Sequence, residues 1–163
     1  MALTSKRTKP SRESLKRNES KWTPTLMEAG WTVLPSVILE RQKALGLDAV
    51  DINILMHLVR HWWFAESLPH PAKKTIAECM NINESTVRRH IAGMEKAGFI
   101  KRQSRYDPTH GQMTNEYDFG GLIEEVKPYA LEAIEERKQQ RIQSAAKRIR
   151  KKPILKVVPG DEN

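Results

Sequence analysis

The chain of 163 residues lacks the features that mark several classes of protein. It has a single cysteine, Cys79, so no internal disulfide can form, and such sparse cysteine usage is typical of a reducing compartment. No apolar run approaches the roughly 20 residues that span a bilayer, and the first residues lack the apolar stretch of a secretory signal. We therefore expect a cytoplasmic protein with no membrane partner.

The common catalytic motifs are also missing. The sequence has no glycine-rich phosphate loop, no nucleophile elbow, and no acidic cluster apart from helical glutamate pairs near residues 124–136. His57 and His61 have the i, i+4 spacing of helical metal ligands, but no HExxH pattern and no cysteine cluster accompany them. We therefore predict that the protein is not an enzyme and that it has no cofactor and no metal site.

Positive charge is concentrated at both ends of the chain. Lys and Arg total 28 against 20 Asp and Glu, a net charge of +8. Residues 1–21 carry +5 and residues 137–163 carry +7, which leaves −4 on the residues between them. A slightly acidic body between basic ends indicates a polyanionic partner, with the ends as electrostatic arms. The alternatives are that the basic ends only aid solubility or that they contact a protein partner.

Two helices are predicted ahead of the central motif. Ser36 is placed to cap a helix that runs to about Leu45. Asp48 is the next N-cap, and Asp51 follows three residues later in a near capping-box arrangement. Apolar residues at helical spacing then continue the second helix to about Trp63.

The stretch Thr75–Arg102 predicts a helix-turn-helix motif. A short helix ends at Met80, and Asn81 tolerates the left-handed conformation that a tight corner requires. Asn83 is the N-cap of a second helix that ends at Gly98. On that helix the predicted buried side carries Val87, Ile91 and Met94, and the opposite side carries Ser85, Arg89, Ala92 and Lys96.

A β-hairpin is predicted directly after this helix. Phe99–Arg105 and Met113–Phe119 have strand character, and residues 107–111 have turn chemistry. The fold class is therefore mainly α, a winged helix-turn-helix with a short hairpin wing, an extra C-terminal helix and disordered basic ends. The predicted units are a disordered basic arm (1–21), an N-terminal extension (22–35), the winged helix-turn-helix domain (36–127), a C-terminal helix (128–150) and a disordered tail (151–163).

The predicted C-terminal helix has Pro128 at its first position, where proline is tolerated. It carries a thin apolar stripe that is too sparse for a coiled coil but suits docking or dimer contacts. A homodimer through this helix or through the N-terminal extension is therefore an expected partnership. The stripe consists of Leu131, Ile134, Ile142, Ala145 and Ile149.

Three sequence runs carry a family resemblance. LGLDAVDINILMHLVRHWW, LPHPAKKTIAECMNINESTVRRHIAGMEKAGFIKR and NEYDFGGLIEEVKPYA resemble the winged helix-turn-helix proteins of plasmids, phages and other bacterial mobile elements. The resemblance covers about residues 36–136. That family includes transcriptional regulators and replication-initiation proteins, so the resemblance implies DNA binding by a winged helix.

The second helix of the motif is the candidate recognition helix. Arg89 can present a bidentate fork to guanine, and Ser85 and Thr86 can reach bases or phosphates. Bases outnumber acids eight to three over residues 73–105, which favours DNA over a merely solvated helix face. Further candidates for contact with phosphates or the minor groove are Lys73, Lys74, Arg88, Lys96, Lys101, Arg102, Arg105 and His110.

Three functions remain open from the sequence. The first is a sequence-specific double-stranded DNA-binding protein that regulates transcription. The second is a plasmid or phage replication-initiation or accessory factor that recruits partner proteins. The third is a winged-helix interaction or architectural subunit of a complex that contains nucleic acid.

Overall fold

Residues 12–150 are described by the computed structural model, and residues 1–11 and 151–163 lie outside it. The helices are α1 (Arg12–Trp22), α2 (Pro24–Glu28), α3 (Ser36–Glu40), α4 (Ala49–Val59), α5 (Lys73–Met80), α6 (Glu84–Lys96) and α7 (Gly120–Arg150). The strands are β1 (Lys101–Gln103), β2 (Tyr106–Asp107), β3 (Gly111–Gln112) and β4 (Glu116–Asp118). This order confirms the predicted mainly helical winged-helix fold.

The N-terminal region differs from the prediction of disorder over residues 1–21, because residues 12–22 form α1. Strong helix formers (Arg, Glu, Leu and Lys) dominate the sequence of this segment, which favours a helix. The low apolar content that indicated disorder does not oppose local helix propensity. The rest of the predicted arm, and the predicted disordered tail, lie outside the described residues.

The capping box predicted at the start of α4 is present. Asp48 Oδ1 accepts a hydrogen bond from the Asp51 N–H at 2.8 Å, and Asp51 Oδ2 accepts one from the Asp48 N–H at 2.9 Å. These bonds satisfy N–H groups at the helix start that have no partner within the helix.

Two helices end earlier than the sequence predicts. α4 ends at Val59 rather than near Trp63, and the chain then turns so that the Trp62 ring lies 5.4 Å from the Phe119 ring. α3 ends at Glu40 and continues as turns through residue 46 rather than as helix. In both cases the residues predicted as the last helical turns leave the helix and pack on the core instead, through Leu45 after α3 and Trp62 after α4.

The helix-turn-helix motif forms as predicted. Asn81 has φ 52° and ψ 46°, in the left-handed region, and ends α5. The Ile82 N–H then donates to the Ala77 carbonyl at 3.0 Å, which closes the corner before α6 begins. Asn83 is the N-cap residue of α6, although its side chain makes no capping hydrogen bond.

The wing is an antiparallel hairpin with two short ladders. β1 pairs with β4, with Arg102 opposite Tyr117, and β2 pairs with β3 nearer the tip. At the tip Asp107 Oδ1 accepts the N–H groups of Thr109 and His110 at 2.8 and 2.9 Å. This local bonding fixes the turn that the sequence predicted there.

The core lies between α4, α5, α6, the β1–β4 ladder and the first turns of α7. Tyr117 and Phe119 anchor it from β4 and the residue after it. The fully buried side chains of α4 are Ile54, Leu55 and Leu58, and those of α6 are Val87 and Ile91.

The C-terminal helix begins at Gly120 rather than at Pro128, so the predicted boundary between domain and helix is wrong. Asp118 Oδ1 accepts the Gly120 N–H at 2.8 Å, and Leu122 and Val126 are buried against the core. Pro128 therefore lies inside α7, where it removes a single helical hydrogen bond at an exposed position.

The start of α7 approaches the end of α6 closely. Gly98 has φ +80°, and its carbonyl oxygen lies where a Cβ on Gly121 would be 1.8 Å away. The Leu122 N–H also donates to the Phe99 carbonyl at 3.0 Å. Only glycine at position 121 permits this backbone contact.

Gly121→Ala should therefore destabilise the fold by about 1–3 kcal/mol, because the added methyl group must displace backbone. The measurement is the free energy of unfolding from urea denaturation. Gly93→Ala is the matched control: no atom lies within 4 Å of its added Cβ, so it should stabilise α6 by up to about 1 kcal/mol. An unchanged free energy of unfolding for Gly121→Ala would contradict the close contact.

Candidate nucleic-acid interface

α6 buries one side and leaves the opposite side open to solvent. Val87, Ile91 and Met94 are at most 2% exposed. At about 100° per residue, Ser85 and Arg89 lie on the opposite side, and both are exposed. Lys96, the last residue of α6, is exposed on the same side. The polar side predicted from the sequence is therefore accessible over the length of α6.

Four of the predicted cations form no ion pair with any side chain that the structure describes. Arg89, Lys96 and Lys101 are exposed, and Lys73 at the start of α5 is half-buried. Two of these residues belong to α6, and Lys101 begins the first strand of the wing. Their positive charge is therefore not compensated by a direct contact, and it remains available to an anion.

The other predicted cations are paired within the chain. The pairs are Lys74 with Glu78 (4.0 Å), Arg88 with Glu84 (2.6 Å), Arg102 with Glu95, Arg105 with Glu116 (3.2 Å) and His110 with Asp107 (3.1 Å). Of these, the Arg88–Glu84 and Lys74–Glu78 pairs have the i, i+4 spacing on a predicted helix that could have revealed them from the sequence. The count of bases and acids over residues 73–105 did not show which charges are neutralised.

The Arg102–Glu95 pair joins the wing to the end of α6. The side-chain hydrogen bond from Arg102 lowers the pKa of Glu95 and raises that of the guanidinium. The pair therefore stays charged, and it fixes the wing strand β1 against the helix. Arg105 is tied to β4 through Glu116, and its Nη1 atom is buried without a hydrogen-bond partner among the described residues.

Lys73 lies between the two helices of the motif and the wing, near the ion pairs Arg88–Glu84 and Arg102–Glu95. Partial burial lowers its pKa, and the positive charges of Arg102 and Arg88 lower it further. It lines a depression of about 230 Å³ between the start of α5 and the wing, together with Lys74 and Gln112. Lys73 thus adds an unpaired cation from α5 at the edge of the α6 face, beside the paired Arg88 and Arg102.

A histidine that the sequence analysis did not single out positions α6 on α4. His90 is mostly buried, and its Nδ1 lies 2.8 Å from Asp51 Oδ1 and 3.8 Å from Asp48 Oδ1. Among the described residues these three side chains are the group close enough to share a metal ion. The carboxylates already accept the capping-box N–H groups, and the cluster links the two helices. Its signal in the sequence is the position of His90 beside Ile91, at the edge of the buried side of α6.

An apolar groove of about 590 Å³ lies on another side of the molecule. Trp31 and Val33 from the N-terminal extension form one wall, and Ile123 and Val126 of α7 form the other. Trp63 lies at the groove and is 70% exposed. The sequence patterns did not predict this groove.

The family of the chain follows from comparison with known proteins. The sequence matches the family model of the DnaD N-terminal domain over residues 34–141, about two thirds of the chain. The chain belongs to this family. DnaD N-terminal domains are winged-helix domains of non-enzymatic replication-initiation proteins, which confirms the prediction that the chain is not an enzyme.

The fold is similar to that of one solved domain. The N-terminal domain of the DnaD protein from Geobacillus kaustophilus HTA426 superposes with a TM-score of 0.50 at 16% identity, covering 76% of this chain and 96% of that chain. The transcriptional regulator PA3341 and MarR give TM-scores of 0.37 at 18% identity, covering 84% and 91% of this chain and 93% and 98% of theirs. No curated protein sequence matches the chain.

The DnaD family places the chain with the replication-initiation proteins named in the second of the three functions left open by the sequence. The main prediction, a transcriptional regulator, receives no support beyond a winged-helix fold. Within residues 12–150, no helix combines the length and apolar character needed to cross a bilayer.

The capping box of Asp48 and Asp51 predicts how the stability of the fold depends on pH. The Asp51 N–H bond lowers the pKa of Asp48, so Asp48 stabilises the fold while it is ionised. That stabilisation is present above the ordinary aspartate pKa and is lost as the pH falls through that value towards the lower pKa of the folded state. In thermal unfolding experiments, the melting temperature should fall further between pH 5 and pH 2.5 for wild type than for Asp48→Asn.

Asp48→Ala is the companion variant at neutral pH. It removes the N-cap acceptor and should cost about 1 kcal/mol in the free energy of unfolding. Glu66→Ala, at an exposed loop position outside any helix, is the control and should leave the stability unchanged. Identical pH profiles for wild type and Asp48→Asn would show that Asp48 does not carry the effect.

Proposed function

We propose that this chain is a bacterial replication-initiation protein whose winged helix binds double-stranded DNA. The observation that carries the proposal is the exposed, uncompensated positive charge of Arg89, Lys96 and Lys101 on the outward side of α6 and the adjoining wing. The proposed replication role rests on family membership, and the proposed DNA partner rests on the positive charge of this face. The setting we propose is the bacterial cytoplasm, at the nucleoid.

The binding mode follows from which face α6 presents. If α6 enters the major groove, Arg89 reaches base edges with its planar fork, and Ser85 and Thr86 near the helix start reach bases or phosphates. Lys96 and Lys101 then lie towards the DNA backbone, and Lys73 approaches it from α5. Residues predicted as contacts but paired internally, such as Arg102 and Arg105, position the wing instead of binding directly.

A second candidate function is protein recruitment through the apolar groove. The exposed indole of Trp63, together with Trp31, favours it, because large exposed apolar patches mark interaction sites. The two functions are compatible in one replication factor, since the groove and the α6 face are formed by different residues. The groove alone would support the third function left open by the sequence, an interaction subunit without DNA readout.

The test of DNA binding compares two charge-matched double variants of the full chain. Arg89→Gln/Lys101→Gln removes two cations from the proposed face, whereas Arg60→Gln/Lys127→Gln removes two from the rim of the groove. Binding to a duplex selected from genomic fragments is measured at several salt concentrations. The first variant should lose about 1–3 kcal/mol through Arg89, and each lost phosphate contact should reduce the salt slope by about 0.9.

The rim variant should retain wild-type affinity apart from a small general effect of net charge. Equal losses for both variants would mean that the duplex responds to total charge and not to this face. If Arg89→Gln/Lys101→Gln binds the duplex with wild-type affinity, α6 does not bind DNA, and protein recruitment becomes the favoured function.

A further inference from the structure

The second half of α7 is open to solvent along its length. Its last ion pairs with the body of the domain join Glu132 to Arg41 at 2.9 Å and Arg137 to Glu40 at 3.8 Å. Every residue over 138–148 is exposed. This stretch is about 16 Å long at the rise of an α-helix, and a helix this short is marginal in water without a contact. A ligand that binds along it would therefore stabilise it.

Positive charge dominates this half of α7. Residues 137–150 contain six Lys and Arg and no acid, a net charge of +6, whereas residues 120–136 contain five glutamates and one lysine, a net charge of −4. Arg137 and Lys138 each have a glutamate nearby, at 3.8 and 3.6 Å. In the described part of the chain, Arg141, Lys147 and Arg148 have no ion pair. Their charge is therefore available to an anion.

Three arginines of this half form a row on one side of the helix. At about 100° per residue, Arg137, Arg141 and Arg148 fall within about 40° of arc. Together with Gln140 and Ser144 they line a shallow depression of about 430 Å³. We call these three residues the arginine row. The row measures about 16 Å from end to end, so it fits an extended anion that carries several charges.

We propose that the arginine row binds the phosphate backbone of duplex DNA, as a second contact separate from the α6 face. An arginine guanidinium presents its N–H donors in a planar fork that matches a phosphate group, and its charge is permanent. Gln140 and Ser144 offer further donors for phosphate oxygens in the same depression. The inference does not depend on α6, because the row shares no residue with that face.

The composition of the segment favours a duplex over a single strand. Proteins that bind single strands combine positive charge with aromatic side chains on which the bases stack. Residues 137–150 contain no aromatic residue. A regular helix also holds its cations in fixed positions, which suits the regularly spaced phosphates of a duplex. The phosphate backbone of a duplex therefore matches what this segment offers.

An acidic protein is the competing partner. Stable protein interfaces obtain most of their affinity from large side chains, above all aromatic ones, in a desolvated centre. Among the described residues that line the depression, Ala145 alone is apolar. Charge and hydrogen bonding are thus what the row can use, and these dominate contacts with a DNA backbone. The acidic first half of α7 repels DNA, so the contact is confined to the second half.

Repulsion within the row predicts that DNA stabilises this helix. Arg137 and Arg141 are four residues apart, a spacing at which like charges destabilise a helix. A bound phosphate backbone would neutralise both charges and give the exposed segment a partner. The backbone amides of residues 138–148 should therefore exchange hydrogen more slowly once a duplex is bound.

The first test compares two charge-matched double variants of the full chain, with α6 and the wing unchanged. Arg141→Gln/Arg148→Gln removes two cations from the row, whereas Lys138→Gln/Lys147→Gln removes two from other sides of the same segment. Binding to a duplex of mixed sequence is measured at several salt concentrations. The row variant should raise the dissociation constant at least about tenfold and reduce the salt slope by about 1.8, the value for two phosphate contacts.

The lysine variant should change the dissociation constant much less. Equal losses for the two variants would mean that only total charge matters, and wild-type affinity for the row variant would remove the row from the interface. Either result overturns this proposal and leaves the α6 proposal standing, because that proposal is tested by Arg89→Gln/Lys101→Gln. Circular dichroism of each variant verifies that the domain is folded.

The second test is hydrogen exchange measured by mass spectrometry on the full chain. A duplex should protect residues 138–148 in the wild type and in Lys138→Gln/Lys147→Gln, but not in Arg141→Gln/Arg148→Gln. A single strand of the same length should protect them less, and equal protection would contradict the choice of a duplex. Protection by polyglutamate without protection by the duplex would assign the row to an acidic protein and overturn the proposal.

Discussion

The packing of α6 is the constraint on which the rest of the structure depends. Val87, Ile91 and Met94 are buried against the core, and His90 holds the neighbouring turn on α4 through Asp51. Because a helix has fixed angular spacing, burying this side directs Arg89 and Lys96 outwards. The wing is attached to the end of the same helix through Arg102 and Glu95. One rigid unit thus presents both the candidate recognition helix and the first wing strand.

Ion pairing within that unit divides its cations into two groups. Some stabilise the fold through a glutamate partner, and the others remain available to bind an anion. Arg88, Arg102 and Arg105 each have a glutamate partner and therefore contribute to local geometry. The cations without such partners contribute a positive potential, which is the physical basis of non-specific affinity for a phosphate backbone. The net charge of the whole chain would not reveal this division, because most of the excess lies towards the two ends.

Local sequence signals predicted the elements near the candidate site well. The left-handed Asn81, the capping box of Asp48 and Asp51, and the hairpin turn each depend on a few adjacent residues, and all are present. Errors arose where tertiary contacts decide the outcome. α7 begins at Gly120 because Leu122 and Val126 pack on the core, and Pro128 alone pointed to a later start.

The candidate site shows the same division between local and long-range information. The outward position of Arg89 follows from helical spacing alone. By contrast, the partners of Arg102 and Arg105 depend on how the wing folds back, and the groove at Trp63 depends on where the N-terminal extension lies. Spacing arguments cannot supply such contacts, because the residues concerned are distant in the chain or belong to irregular segments.

The most direct test of the central claim is lysine footprinting by acetylation and mass spectrometry, with and without a bound duplex. The account predicts that Lys73, Lys96 and Lys101 become protected, while Lys127, which lines the apolar groove, remains as reactive as in the free protein. Protection of Lys127 without protection of Lys96 and Lys101 would contradict it, because DNA would then lie on a different face.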